Sequence, residues 1–119
     1  MKHSEDDIQR QLMVWMRRTY PKHADWMHHS PNGGQRNAAT GARLKAAGTR
    51  RGFPDLVWYV RRGEFSGLAI ELKAPGGRVT PEQTAWLDHL AEQHFLTALC
   101  FGLEAAQQTI VSYDKLGEP

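Results

Sequence analysis

Apolar residues recur at helical spacing near the start of the chain. Ile8, Leu12, Trp15 and Met16 fall on one stripe of a helix predicted from about Ser4 to Tyr20. Ser4 is a favourable N-cap, Asp7 stands three residues on in a capping-box position, and Pro21 ends the pattern. A short extended segment, Trp26 to Ser30, leads to the turn signal Pro31-Asn32-Gly33-Gly34. Ala38 to Ala47 reads as a second helix closed by Gly48. The runs Leu56 to Val60 and Leu68 to Lys73 are strand-like, and Arg61 to Gly67 between them looks like a hairpin connection. Thr80 as N-cap, Pro81 at the first helical position and Gln83 at the third open another helix, with Trp86, Leu87 and Leu90 as its buried stripe. Phe95 to Phe101 reads as a buried strand and Leu103 to Ile110 as a closing helix. The order α-β-α-β-β-α-β-α predicts an α/β fold: a mixed central β-sheet flanked by helices.

The alternation along Leu68-Ala69-Ile70-Glu71-Leu72-Lys73 carries the first chemical signal. Period two sends Leu68, Ile70 and Leu72 to one face and Ala69, Glu71 and Lys73 to the other. An acid and a base then share one face at the end of an apolar strand. The preceding strand starts just after Pro54-Asp55, and a hairpin about Arg61–Gly67 brings that start beside the end of the next strand. Asp55 then lies near Glu71 and Lys73. Two neighbouring carboxylates repel, and a hard divalent cation relieves the repulsion. The plain alternative is a surface ion pair between Glu71 and Lys73, with Asp55 as a turn residue. Glu5 and Gln83 also have two readings each. Glu5 falls on the apolar stripe of the first helix, and it is equally an acid favoured by a helix N-terminus. Gln83 falls on the stripe of its helix, and it equally completes a capping box with Thr80.

Charge and composition sharpen this. Between Gln35 and Arg62 stand seven basic residues, Arg36, Arg43, Lys45, Arg50, Arg51, Arg61 and Arg62, with Asp55 the only acid. The chain as a whole has a formal net charge of only +2, so the remainder is net acidic. A concentrated basic segment suits a polyanion such as nucleic acid, or is simply a solvated surface. Cys100 is the only cysteine. That excludes an intrachain disulfide, argues against a cysteine-based zinc site, favours Mg2+ or Mn2+ on oxygen ligands, and points to a reducing, cytoplasmic setting. No apolar run approaches the ~20 residues of a membrane span, and the polar start MKHSEDDIQRQ is not a secretory signal. At 119 residues the chain is expected to form one domain, 1–119.

The ordered set Pro31-Asn32-Gly33, Gly48, Gly52-x-Pro54-Asp55, Ile70-Glu71-Leu72-Lys73, Gly77-Arg78 and Gln83-x-x-Trp86, after a helix carrying Glu5, resembles the PD-(D/E)XK nuclease superfamily. More narrowly it resembles the VRR-NUC (virus-type replication-repair nuclease) family, over about residues 5 to 90. The resemblance implies a restriction-endonuclease-like core and a metal-dependent DNA endonuclease that hydrolyses phosphodiester bonds. It implies that Asp55 and Glu71 bind Mg2+ or Mn2+ directly, with the backbone carbonyl of Leu72 and with Glu5 completing the site. Lys73 would position or deprotonate the attacking water, and Gln83 would orient Lys73 or that water. Arg36, Arg43, Lys45, Arg50 and Arg51 are the candidate DNA contacts. With no further domain evident, the chain looks like a stand-alone phage or bacterial member. Such members imply a homodimer acting on branched DNA, Holliday junctions in particular, in DNA repair.

Three other readings compete. A degenerate nuclease fold could bind DNA without cutting it. His28-His29-Ser30-Pro31-Asn32 superficially resembles a His/Asn metal-finger nuclease, but no further histidine follows until His89. A sequence-reading restriction enzyme would need a recognition domain, and nothing here resembles one.

Overall fold

The computed structural model describes residues 4–31 and 37–119. The turn signal at Asn32-Gly33-Gly34 and the candidate DNA contact Arg36 lie outside the described residues. Helix α1 (Glu5–Thr19) opens on a reciprocal cap: the Asp7 N–H donates to Ser4 Oγ at 3.1 Å, and the Ser4 N–H donates to the Asp7 carboxylate at 3.4 Å. A single 3-10 turn (Ala24–Trp26) precedes strand β1 (Met27–His29). Helix α2 (Ala38–Ala46) follows, then β2 (Leu56–Trp58), β3 (Gly67–Lys73), α3 (Pro81–Glu92), β4 (Phe95–Phe101) and α4 (Leu103–Asp114).

The four strands form one mixed sheet in the order β1-β2-β3-β4. β2 pairs antiparallel with both β1 and β3, and β4 joins β3 in parallel. A parallel neighbour needs a crossover, and α3 supplies it. One face of the sheet carries Leu56, Trp58, Leu68, Ile70, Leu72 and Cys100. These pack with Ile8, Leu12 and Met16 of α1 and Ala106, Ile110 and Tyr113 of α4. The buried Trp58 indole donates to the His23 carbonyl at 2.9 Å, and the Tyr113 hydroxyl donates to the Val60 carbonyl at 2.6 Å. Both large rings therefore bury their area with their polar atoms satisfied. Helix α3 lies over β3 and β4 and adds no residue to this core.

Several elements differ from the sequence expectation. β2 stops at Trp58 rather than Val60, because its partner backbone before Met27 is coiled in the 3-10 turn. Only one further bond continues the ladder, from Tyr59 N–H to the Trp26 carbonyl at 3.0 Å. β4 is not a buried strand. It has a neighbour on one side only, so Leu99 and Phe101 are exposed and Cys100 alone is buried. Trp86, Leu87 and Leu90 are half-buried rather than buried, since α3 covers the margin of the sheet and not its centre. α4 runs on to Asp114, where Tyr113 extends the buried stripe past Ile110. Arg62 is withdrawn from the basic surface: it is buried, and its Nε pairs with Asp114 at 3.0 Å, tying the β2–β3 connection to α4.

Candidate active site

The site begins where the pairing of β2 with β3 ends. The last paired residues are Leu56 and Ile70. Pro54 has no N–H to extend the ladder, and Asp55 takes over with its side chain: the Leu72 N–H donates to Asp55 Oδ2 at 2.8 Å. The Asp55 carbonyl accepts the Ser30 N–H at 2.8 Å, so the residue is held from the β1 side as well. Its carboxylate is thereby aimed into the gap between the diverging strands.

Glu71 projects into the same gap from β3 and is 2% exposed. Its Oε2 accepts from the Gln83 side-chain amide at 3.1 Å and lies 3.5 Å from Lys73 Nζ. Its Oε1 is buried without a protein partner. Lys73, also buried, reaches Glu5 Oε1 at 3.9 Å. Glu5 is not core-facing as its place on the apolar stripe suggested. Its side chain is 52% exposed, because the first residue of α1 overhangs the sheet end instead of lying under it. Oxygens of Glu5, Asp55 and Glu71 nevertheless all lie within 4.8 Å of one another.

Gln83 satisfies both of its readings at once. Its amide oxygen accepts the Thr80 N–H at 2.9 Å, closing the capping box of α3, while its amide nitrogen serves Glu71. This depends on how closely α3 approaches the loop before Asp55. A Cβ at Gly52 would stand 2.6 Å from the Glu82 backbone carbon and 2.8 Å from the Gln83 nitrogen, and Gly52 has φ +88. Only glycine meets both conditions. The rings of Phe53 and Trp86, 5.0 Å apart and edge-to-face, hold the loop and helix together beside it. Gly52 was legible as part of a motif, but its contact with a helix thirty positions on left no local signal.

Burial first, then the Asp55 carboxyl alongside, pushes Glu71 up from its ordinary 4.5 to about 8, with Lys73 offsetting part of the effect. A carboxylate that resists ionisation beside two other acids is what a cation would correct. The donors present are hard oxygens, three of them on carboxylates, with one buried oxygen still to be satisfied. They fit a hard divalent ion.

Among the candidate DNA contacts, Arg43 and Lys45 occupy the last turn of α2, and Arg50 and Arg51 follow it. All four are exposed, and none forms an ion pair among the described residues. Helix α2 buries no residue. It is capped at both ends. Asn37 accepts the Thr40 N–H at 2.7 Å, and beyond Ala47 the Gly48 and Thr49 N–H groups return to the Lys45 and Leu44 carbonyls. That C-terminal arrangement requires the positive φ of Gly48.

The comparisons with known proteins bear on the fold and the family. The family model described as "VRR-NUC domain" matches residues 4–103. A solved structure described as a VRR-NUC domain protein aligns with a TM-score of 0.87 at 31% identity, covering 99% of this chain and 93% of that one. No curated protein matches the chain. No helix among the described residues is long and apolar enough to cross a membrane. The family match runs from the cap of α1 to the first residue of α4, and so spans the four strands, the diverging strand ends and the helix that carries Glu5. With its nuclease-type fold, the chain belongs to the VRR-NUC family.

Proposed function

We propose that the chain is a metal-dependent DNA endonuclease that hydrolyses phosphodiester bonds, with Asp55, Glu71 and Glu5 as ligands of Mg2+ or Mn2+. The observation that carries this reading is the convergence of the three carboxylates within 4.8 Å around a buried Glu71 oxygen that has no partner. The backbone carbonyl of Leu72 is assigned as a further ligand. Asp55, Glu71 and Glu5 would hold the ion, which when bound would supply an activated water and offset charge on the phosphate oxygens. The Lys73 ammonium, between Glu71 and Glu5, orients that water and stabilises the phosphate. Gln83 holds Glu71 by one oxygen and leaves the other free to face the ion. Arg43, Lys45, Arg50 and Arg51, together with Arg36, bind phosphates along the strand and set its register.

A non-catalytic DNA-binding module is the second reading. The carboxylate trio around the buried Glu71 argues against it, since acids facing a polyanion weaken binding unless they hold a cation. The finer assignment is a homodimer that prefers branched DNA, Holliday junctions in particular, in an intracellular repair role. One site per chain cuts one strand, and a two-fold pair of protomers matches the two-fold symmetry of a four-way junction. The test is incubation with linear, flapped and four-way-junction DNA, with Mg2+, Mn2+, Ca2+, Zn2+ or EDTA, alongside sedimentation. Cleavage with Mg2+ or Mn2+, lost in EDTA and weak with the other ions, supports the nuclease. No cleavage of any substrate and no divalent binding by calorimetry would overturn it. A monomer at micromolar concentration that cuts linear and junction DNA equally would overturn the dimer and the branched substrate.

A further inference from the structure

Ile8, Gln9, Leu12 and Met16 are the buried residues of α1, and Gln9 alone among them is polar. It is 7% exposed, and neither its amide nitrogen nor its amide oxygen has a hydrogen-bond partner. A buried amide without partners destabilises the fold, and an unbranched apolar side chain of similar length would fill the space without that cost. Gln9 stands one helical turn after Glu5, and side chains four apart on a helix are neighbours. Helical side chains lean toward the helix N-terminus, which directs Gln9 toward Glu5 rather than toward Leu12. Glu5 is the loosest member of the carboxylate set. It is half exposed, its contact with Lys73 is long at 3.9 Å, and no hydrogen bond to its side chain exists among the described residues.

We infer that Gln9 is a positioning residue of the cation site, its amide holding the Glu5 carboxylate in the ligand set once a divalent ion is bound. The inference rests on the metal-dependent reading above. A neutral amide suits the role. Its NH2 donates to a carboxylate oxygen, and it adds no charge where three acids already repel.

The test uses the full chain with Gln9→Met, with Gln9→Leu as a second shape, each alone and combined with Glu5→Gln. Mn2+ affinity is read by calorimetry and Tm is read in EDTA. The expected result is a Tm in EDTA equal to or above wild type, with Mn2+ affinity lowered roughly 10-fold, the scale of groups that orient ligands. In the Glu5→Gln background the same substitution should change affinity by less than ~2-fold, since its partner is gone. Wild-type affinity in both variants overturns the inference, and so does an equal loss in both backgrounds. A Tm in EDTA lowered in both variants assigns Gln9 to packing and likewise overturns it. Wild-type protein that binds no Mn2+ sinks the metal-dependent reading and Gln9's role together. Wild type that binds while the variants bind equally well sinks only the latter.

Discussion

Asp55 stands in for a strand partner of Leu72: its carboxylate accepts the Leu72 N–H at 2.8 Å, beyond the last β2–β3 backbone pair. The same group that closes the ladder is therefore an acid of the candidate site. Structure and chemistry can be separated because asparagine keeps an acceptor and loses the charge.

Asp55→Asn and Asp55→Ala should each lower cleavage by more than about 100-fold, beyond the range typical of groups that only orient ligands. Glu71→Ala and Lys73→Ala should do the same. The two Asp55 variants should differ in stability. Alanine leaves a buried N–H unpaired, so urea unfolding in EDTA should place Asp55→Ala about 1–3 kcal/mol below Asp55→Asn. Equal stabilities would show that the Asp55–Leu72 bond contributes nothing to the fold.

Glu71 gives the pH dependence. Its carboxyl ionises near 8 in the folded chain and near 4.5 when unfolded, so between those values the folded state holds the extra proton. Stability in EDTA should be full below about pH 4.5 on this account and should fall as pH rises toward 8. Glu71→Gln should flatten that part of the Tm profile, and it should match or exceed wild type above pH 8. Divalent ions should bind more tightly as pH rises through the same window, because they take the ionised form. A Tm profile that is identical in wild type and Glu71→Gln would contradict the assignment.

Gly52→Ala should cost at least about 1–2 kcal/mol from its left-handed backbone alone. The clash with Glu82 should also push α3 outward and break the Gln83–Glu71 contact. Cleavage should then fall at least as far as in Gln83→Ala, even though Gly52 carries no chemistry. Wild-type activity in a folded Gly52→Ala protein would show that the close approach of α3 is dispensable.

Replacing Arg50 and Arg51 together by alanine should leave Tm unchanged, since both are exposed and unpaired among the described residues. If both hold phosphates, the slope of log affinity against log salt should become shallower by about 2 on duplex DNA. An unchanged slope would move the DNA path away from this loop.

The parts legible in the sequence are those fixed by local geometry. The caps at Ser4 and Thr80 are contacts across three residues. The alternation through Leu68–Lys73 sets the faces of Glu71 and Lys73, and the hairpin spacing predicts Asp55 beside them. The less legible parts depend on which elements meet. Nothing within Phe95–Phe101 says that it ends up at a sheet edge, because a core strand and an edge strand can share one apolar run. Arg62 looked like one more surface cation, and only the docking of α4 supplies Asp114 as its partner. Gln9 follows Ile8 on the first helix and carries no signal in the sequence. Its role becomes readable only once its burial and its missing partners are known.

Helix α2 has nine residues, caps at both ends and no buried side chain. Helices shorter than ~12–15 residues are marginal in water unless tertiary packing supports them. The folded core therefore does little to hold α2, and a ligand gripping it would supply the support that packing does not. If Arg43 and Lys45 grip DNA, the heat-capacity change of association should carry a coupled-folding increment that a rigid basic surface of equal charge would lack.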